Sequence, residues 1–516
     1  MAESLSQRYQ HKIKTPEELR EILGPMPRAR RAIMCHGVFD VVHPGHVRHL
    51  VYARSKADIL IASITADRHI TKGAHRPHVP QNLRALNLAA FEMVDYVVVD
   101  ANATPLENIR IIQPDFFAKG YEYTERGLPP KTQEEAEVLR SYGGSLLFTP
   151  GDVVYSSSKL LTLEAPALKY DKLQLIMDSK GITFDDLKRT IGALSSHRVH
   201  VIGDTIVDSY TQCVMIGGQT KTPTLSVLFE KKTDYVGGAA IVAKHCRATG
   251  AEVAFTTVLG EDEDARFVRE DLKKSGIELA ASVEPGRPTV NKNAVVVSGY
   301  RLLKIDTLDN NSVTDATVNE MAARLRGAEA DAVIFSDFRH GIFNRRTIPA
   351  LIAAIPQNAY RVADSQVASR WGNITEFRGF DLITPNEREA RFALADQDSG
   401  IRPLASKIYD EAQCRLLILK LGQRGVLTCT SADHQSLDSF FSLDSFVENL
   451  VDAVGAGDAL LAYSTLAMLA CRDEVQATII GLLAAACECE LDGNIPITPE
   501  SVLKKLDGVE KRINYA

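Results

Sequence analysis

Two histidines, His43 and His46, flank a Pro-Gly step in "CHGVFDVVHPGHVRHL", just downstream of an apolar run that ends in Gly37. Imidazoles placed there can donate hydrogen bonds to phosphate oxygens and stabilise the charge that builds up when one phosphate attacks another. Gly45 between them lets the backbone approach an anion closely. Far downstream, "NLVDAVGAGDALLAYSTLAMLA" sets Gly455, Ala456 and Gly457 before Asp458 at the start of a long apolar helix. Free N–H groups at such a helix start form an anion hole for a transferring phosphate, and Asp458 is placed to take the proton of an attacking hydroxyl. The chain thus carries two separate sets of groups suited to phosphate chemistry.

The elements that must position them alternate in type. From Ile33 to about Leu163, short β-rich runs ("RAIMCHGVF", "ADILIASI", "VDYVVVD", "DFFAKG", "GSLLFT") alternate with helical ones ("GHVRHLVYARSKA", "PQNLRALNLAAFEM", "TPLENIRIIQ", "QEEAEVLRSY"). That alternation predicts a parallel sheet covered by helices on both faces. A polar stretch over residues 166–197 reads as a helical linker, and the strand "HRVHVIGD" restarts the pattern near Arg198. The fold class expected is α/β, with two doubly wound domains at 30–165 and 198–510. A polar, strand-rich stretch from about Tyr210 to Tyr235 suits a small β lid on the second.

Bulk composition narrows the function classes. The 516 residues are 45% hydrophobic and 24% charged with a net charge of -7, so no general positive field exists to attract nucleic acid. Small phosphorylated ligands held by local basic groups fit better. Eight scattered cysteines without a CxxC pair read as thiols in a reducing compartment. No apolar run suits a signal peptide or a membrane span, so a cytoplasmic protein without membrane or nucleic-acid partners is expected.

The paired His-x-Gly-His after Gly-x-Phe-Asp resembles the signature of the cytidylyltransferase-like nucleotidyltransferase superfamily. The resemblance implies a Rossmann-like domain in which His43 and His46 bind a nucleoside triphosphate with Gly37, Phe39 and Asp40, and no residue becomes a covalent nucleophile. "VVYSSSKLLTLE" is similar to the family's closing segment, with Ser156, Ser157, Ser158 and Lys159 meeting the triphosphate; an ordinary helix cap is the other reading. Lys72, Arg76 and Arg84 stand as phosphate partners or as solvated surface charges. Over residues 30 to 165 the chain also resembles the adenylyltransferase half of bifunctional heptose 7-phosphate kinase/ADP-heptose synthases, which brings in Lys119 of "PDFFAKGYEY".

The Asp-x-x-Gly-Ala-Gly-Asp turn resembles the second signature of the ribokinase/PfkB carbohydrate-kinase family, and further segments follow in that family's order. The resemblance implies a ribokinase-like domain with Asp458 as general base and Gly455, Ala456 and Gly457 as anion hole. "VIGDTIVDSY" offers Asp204 and Asp208 for sugar hydroxyls, or a plain Asp-capped turn. Gly237 and Gly238 allow close approach of the sugar. Asn386 and Glu389 of "LITPNEREA" are associated with Mg²⁺ through water. Lys420, Gly422 and Gly425 lie beside the nucleotide, and Asp337 belongs to a sugar-side segment, "VIFSDFRHGIF". Across residues 198 to 500 the resemblance extends to the kinase half of the heptose enzymes.

Three features depart from the heptose enzymes. The domain order is reversed. Ile241 stands where the family's Gly-Gly-Ala-Ala-Asn has its amide. The lid segment "GGQTKTPTLSVLFEKK" lacks Ser-Pro-Glu-Ala-Pro, and Ser365-Gln366 replaces Pro-Lys. These differences are expected near the sugar pocket or lid, where one exchanged polar partner shifts discrimination strongly. The function expected is ATP-dependent phosphorylation of a sugar or sugar phosphate, followed by nucleotidyl transfer to a sugar 1-phosphate with release of pyrophosphate. Heptose 7-phosphate is the leading substrate, with a separate phosphatase needed between the steps. A non-heptose or polyol phosphate with CTP, or one catalytically silent domain, are the alternatives. Homo-oligomerisation stays open.

Overall fold

The computed structural model describes residues 8–42, 44–70, 77–120, 130–149, 169–218, 225–366 and 374–515. His43, Lys72, Arg76, Ser156, Ser157, Ser158 and Lys159 lie outside these residues. Two compact units divide between Asp178 and Ser179, within the stretch read as a linker. That stretch holds two helices, Lys169–Lys180 and Phe184–Ala193.

In the first unit, β1 (Ala32–Gly37), β2 (Ile59–Thr65), β3 (Tyr96–Asp100), β4 (Phe116–Gly120) and β5 (Ser145–Thr149) pair in the order β3-β2-β1-β4-β5, all parallel. These are the five β-rich runs. Alternation along β1 splits its side chains between two cores. Ile33 and Cys35 pack with Leu50, Ala53 and Leu88, from the helices Pro44–Arg54 and Gln81–Ala89. Ala32 and Met34 pack with Ile109, Ile112 and Leu139, from Leu106–Ile112 and Pro130–Ser141. Burial on both faces is why these strands read as nearly continuous apolar runs. A helix absent from the sequence reading, Pro16–Leu23, starts at a Thr15–Glu18 capping box and buries Leu19 and Leu23 in the second core.

Arg84 is not a surface charge. Its side chain is fully buried, and its guanidinium donates to the carbonyls of Val79 (2.9 Å), Thr65 (2.9 Å) and Val38 and to the Asp67 carboxylate (2.6 Å). One planar group thereby satisfies backbone acceptors at the ends of β1 and β2 and in the loop before Gln81–Ala89.

The second unit repeats the logic on a larger scale. Its strands are β6 (Arg198–Gly203), β7 (Thr205–Gly218), β8 (Leu225–Gly238), β9 (Glu252–Leu259), β10 (Glu278–Val283), β11 (Val290–Val297), β12 (Tyr300–Thr307), β13 (Ala332–Asp337), β14 (Tyr360–Ser365), β15 (Leu382–Ile383), β16 (Leu416–Lys420), β17 (Val426–Cys429) and β18 (Phe440–Leu443). Nine form a sheet in the order β10-β9-β6-β13-β14-β15-β16-β17-β18, parallel except for β17 against its neighbours. The other four form the smaller sheet β12-β11-β7-β8. The expected lid corresponds to β7 and β8, and β11 and β12 complete it. The helices Ala456–Cys471 and Glu474–Cys489 are buried along most of their length, which explains their uniformly apolar sequences.

Removing the Arg84 guanidinium leaves Asp67 and three carbonyls without their donor. Arg84→Met is expected to destabilise the first unit by about 3–5 kcal/mol, the cost of breaking a buried ion pair. Urea unfolding of the full chain followed by a probe in the first unit reads this, and an unchanged midpoint would refute the structural role.

Candidate functional site

In a largely parallel sheet, ligands bind beyond the carboxyl ends of the strands. In the second unit a cavity of about 900 Å³ lies there, lined by Asp364 and Lys420 at the ends of β14 and β16 and by the loop and helix start Gly455–Asp458. It also takes in Asn386, Glu389, Gly422 and Gly425, while Asp208, Gly238, Lys292 and Lys304 enter it from the smaller sheet. Thus Asp458, Gly455, Ala456, Gly457, Lys420, Gly422, Gly425, Asp208, Gly238, Asn386 and Glu389 share one cavity.

Gly455 caps the helix Ala456–Cys471 with φ 85°, a left-handed conformation that L side chains rarely adopt. The Asp458 amide donates to the Gly455 carbonyl at 2.9 Å, while the amides of Ala456 and Gly457 before it have no acceptor one turn back and stay available to an anion. Asp458 sits in this first turn, 8% exposed. Burial, then the charge of Asp364, push its carboxyl well above the usual range, with Lys420 pulling the other way. Lys420 Nζ lies 3.0 and 3.1 Å from the two Asp364 oxygens. Burial works against its charge, but Asp364 and Glu389 outweigh that and hold its ammonium above the usual value. Gly457 fits because a Cβ there would stand 3.2 Å from Lys420 Nζ.

Asn386 and Glu389 form a reciprocal capping box on the helix Glu387–Leu394. Asn386 Oδ1 accepts from the Glu389 amide at 2.9 Å, and Glu389 Oε2 from the Asn386 amide at 2.7 Å. Burial raises Glu389 to about 7, opposed by Lys420 and reinforced by Asp364. This oxygen-only pair suits a hard divalent cation, whose charge would favour the ionised carboxylate. Among the described residues, no group of three or more His, Cys, Asp or Glu side chains is arranged to hold a metal directly.

Two acids expected in the site are turned elsewhere. Asp204 Oδ2 accepts the amides of Phe338 (3.0 Å) and His340 (3.2 Å), fixing the loop after β13. Asp337 is 1% exposed and accepts from Arg339 Nη1 and Ser365 Oγ, both at 2.8 Å. Neither lines the cavity. Gly237 lies outside it too, but a Cβ there would run into the Asp208 carboxylate and the Asn494 amide. Of the departures from the heptose enzymes, Ile241 is a fully buried core residue of Ala239–Ala248 outside the cavity lining, whereas Gln366 lines the cavity.

Lys292, Lys304, Asp364 and Asn494 were missed in the sequence, whereas Gln366 is among the departures expected near the sugar pocket or lid. Burial lowers the Lys292 ammonium, with Asp208 and Asp306 countering it. Asp364 had a legible signal, an acid at the end of the apolar run "YRVADS". The two lysines had none, since on alternating strands they look like solvated charges.

In the first unit, Gly37 ends β1, and Phe39 turns back at φ 48° to bury its ring 5.1 Å from that of His46. A Cβ at Gly37 would stand 3.2 Å from the Phe39 ring, so the two are matched. Phe39 is thus a core residue holding the loop. Asp40 Oδ1 accepts the Val79 amide at 2.9 Å. His46 lies in the first turn of Pro44–Arg54. Lys119, on the neighbouring β4, pairs with Glu135 and donates to Thr132 at 3.3 Å. His36, unremarked in the sequence, bonds Ser63 (2.9 Å) and Thr65 (3.2 Å), and burial pulls its imidazole down to about 4.

The profile of pfkB family carbohydrate kinases matches residues 196–500, and the cytidylyltransferase-like profile matches residues 34–160. Bifunctional protein HldE of Chromohalobacter salexigens is 27% identical over 326 residues, covering 62% of this chain and 66% of that protein. The protein of the same name from Syntrophotalea carbinolica is 38% identical over 139 residues, covering 26% of this chain and 27% of its own. The matches therefore span less than two thirds of these relatives. Phosphofructokinase-2 from Escherichia coli, solved with potassium, superposes with a TM-score of 0.51 at 15% identity, covering 61% of this chain and 99% of that one, a likeness of fold. With a profile match over more than half its length, the chain belongs to the pfkB family of carbohydrate kinases, and residues 34–160 ahead of that match fit the cytidylyltransferase-like profile.

Proposed function

We propose that the protein activates a sugar in two steps, phosphorylating a sugar phosphate and then joining a sugar 1-phosphate to a nucleotide. The observation that carries the kinase half is the cavity that sets Asp458 and the Gly455–Gly457 turn together with Asp208, Lys292 and Lys304. A carboxylate for hydroxyl groups beside two lysines suits a sugar that already bears a phosphate. The sugar hydroxyl oxygen attacks the γ-phosphorus of ATP, its proton passes to Asp458, and ADP leaves. The amides at the start of Ala456–Cys471 stabilise charge on the transferring group. Mg²⁺, bound near Asn386 and Glu389 through water, would neutralise phosphate charge.

In the first unit, His46, with His43, would steady the triphosphate while a sugar 1-phosphate oxygen attacks the α-phosphorus and pyrophosphate departs. Heptose 7-phosphate is the sugar the sequence resemblance favours. Its kinase product is a bisphosphate, so a separate phosphatase must act before nucleotidyl transfer. ATP is the expected nucleotide of the second step. Phosphorus NMR of the full chain with Mg²⁺, ATP and heptose 7-phosphate, adding a phosphatase midway, tests this directly. An anomeric phosphate followed by a diphosphate and pyrophosphate supports the heptose reading; no turnover of heptose 7-phosphate by a folded enzyme rejects it and moves the search to other sugar phosphates, with ATP and CTP.

Asp458→Asn is expected to lower the kinase kcat by about 10²–10⁴-fold, the usual worth of a general base, and to leave nucleotidyl transfer intact. His46→Ala is expected to do the reverse. Loss of both activities in either variant would contradict two independent sites.

The pH profile gives a further check. A general base works only when ionised, and the Asp458 carboxyl is raised by burial and by Asp364. The kinase kcat should therefore fall as pH drops through a value above the ordinary carboxylate range. In Asp364→Asn one negative neighbour is gone and Lys420 acts on Asp458 without that partner, so the acid limb should move to lower pH. A limb that stays in place would assign the titration to another group.

A further inference from the structure

Gly455 has two unusual neighbours. A Cβ at this glycine would meet Glu488 Oε1 at 2.8 Å and Asn494 Oδ1 at 2.9 Å, so both oxygens converge on the same side of it. Glu488 is 1% exposed and Asn494 7%. Neither Glu488 oxygen nor Asn494 Oδ1 accepts a well-formed hydrogen bond among the described residues; the Ile495 amide is the one donor acting on Glu488. Two buried acceptors gathered beside one glycine without a well-formed donor between them are costly, and one proton on the carboxyl would relieve this by making Glu488 a donor within reach of Asn494. The other end of the Asn494 amide is already committed, because Nδ2 donates to Asp208 Oδ2 at 2.9 Å. Asp208 lines the cavity.

We propose that Glu488 and Asn494 form a buried relay that orients Asp208 for the sugar, which makes both positioning residues for sugar binding. This rests on the reading of Asp208 as a sugar-binding carboxylate. The groups facing Glu488 agree with a neutral acid. Asp452 approaches from the loop before Ala456–Cys471, Asp458 from its first turn, and Cys489 and Glu490 follow on Glu488's own segment. The nearby Lys505 is engaged by Glu490 at 2.6 Å. Burial pushes Glu488 up to about 8, only partly offset by the Ile495 amide, and the Asp452 charge adds to it. Above that pH the donor is lost, Asn494 is free to turn Nδ2 toward the new carboxylate, and Asp208 loses its partner.

The test uses the full chain and two readouts. With ¹³C-labelled carboxyl groups and no substrate, one resonance should titrate near 8 and vanish in Glu488→Gln. The Asp208 resonance, identified with Asp208→Asn and titrating near 6, should show a second inflection near 8 that Glu488→Gln removes. With the sugar phosphate that the kinase turns over, the sugar KM should rise on the order of tenfold between about pH 7 and about pH 9.5, with kcat and the KM for ATP little changed. Glu488→Gln retains a donor and should flatten that rise, while Glu488→Val and Asn494→Ala should raise the sugar KM at both ends. An Asp208 titration without the second inflection, or an unchanged alkaline rise in Glu488→Gln, overturns the relay. Disappearance of the Glu488 titration on adding potassium or sodium chloride also overturns it, by placing a cation where the proton is proposed. A normal sugar KM in Asp208→Asn would instead overturn the reading of Asp208, and the carboxyl titrations would still decide the relay.

Discussion

The kinase cavity depends on the charge of Lys420. Asp364, Glu389 and Asp458 are brought close together, burial raises Glu389 and Asp458, and Lys420 opposes that rise at both. Lys420 reaches them because β16 ends at that residue, and its amide donates to the Pro385 carbonyl at 2.8 Å beside the Asn386 cap. One backbone register therefore places the ammonium, the Asn386–Glu389 box and the helix start of Asp458 around a common space. The remaining acids can keep raised pKa values without the site collapsing into fixed ion pairs, which suits groups that must exchange protons or meet a hydrated cation.

The two units, both proposed to hold phosphate, differ in how they place charge and donors. In the kinase, donors come from a helix start behind a left-handed glycine, and the side-chain cations stand at β16 and on the smaller sheet. In the first unit, the loop after β1 is held by packing. The Phe39 ring fills the core and meets His46, while Arg84 ties the strand ends below. Phe39 and Arg84, both buried, hold the start of that loop by packing and by hydrogen bonds to Val38 and Thr65.

The alternation of β-rich and helical runs was enough to recover the strands of the first sheet, because a parallel strand buried on both faces leaves a continuous apolar signature. The anion-hole turn was equally legible, since glycines at a helix start and the acid behind them are local in sequence. Other residues misled for a physical reason. Arg84 reads as a surface or phosphate-binding charge, yet it is fully buried and donates to four acceptors, three of them 17 to 46 residues away. Asp204 and Asp337 stand at strand ends, where acids often meet ligands, but nearby amides and Arg339 claim their oxygens. Ile241, read as an altered pocket residue, faces the core.

The sequence alone determined that this is a two-part α/β protein, and it marked the glycine turn before Asp458 and the histidine pair as the places to look for phosphate chemistry. Those features are encoded within a few residues, in hydrophobic period and backbone freedom. Only the tertiary structure decided which acids share the cavity, that Lys292 and Lys304 enter it from the smaller sheet, and that Glu488 and Asn494 converge on Gly455. These placements are sums over strand order, helix packing and loop closure between segments far apart in the chain, and no local pattern of residues carries that information.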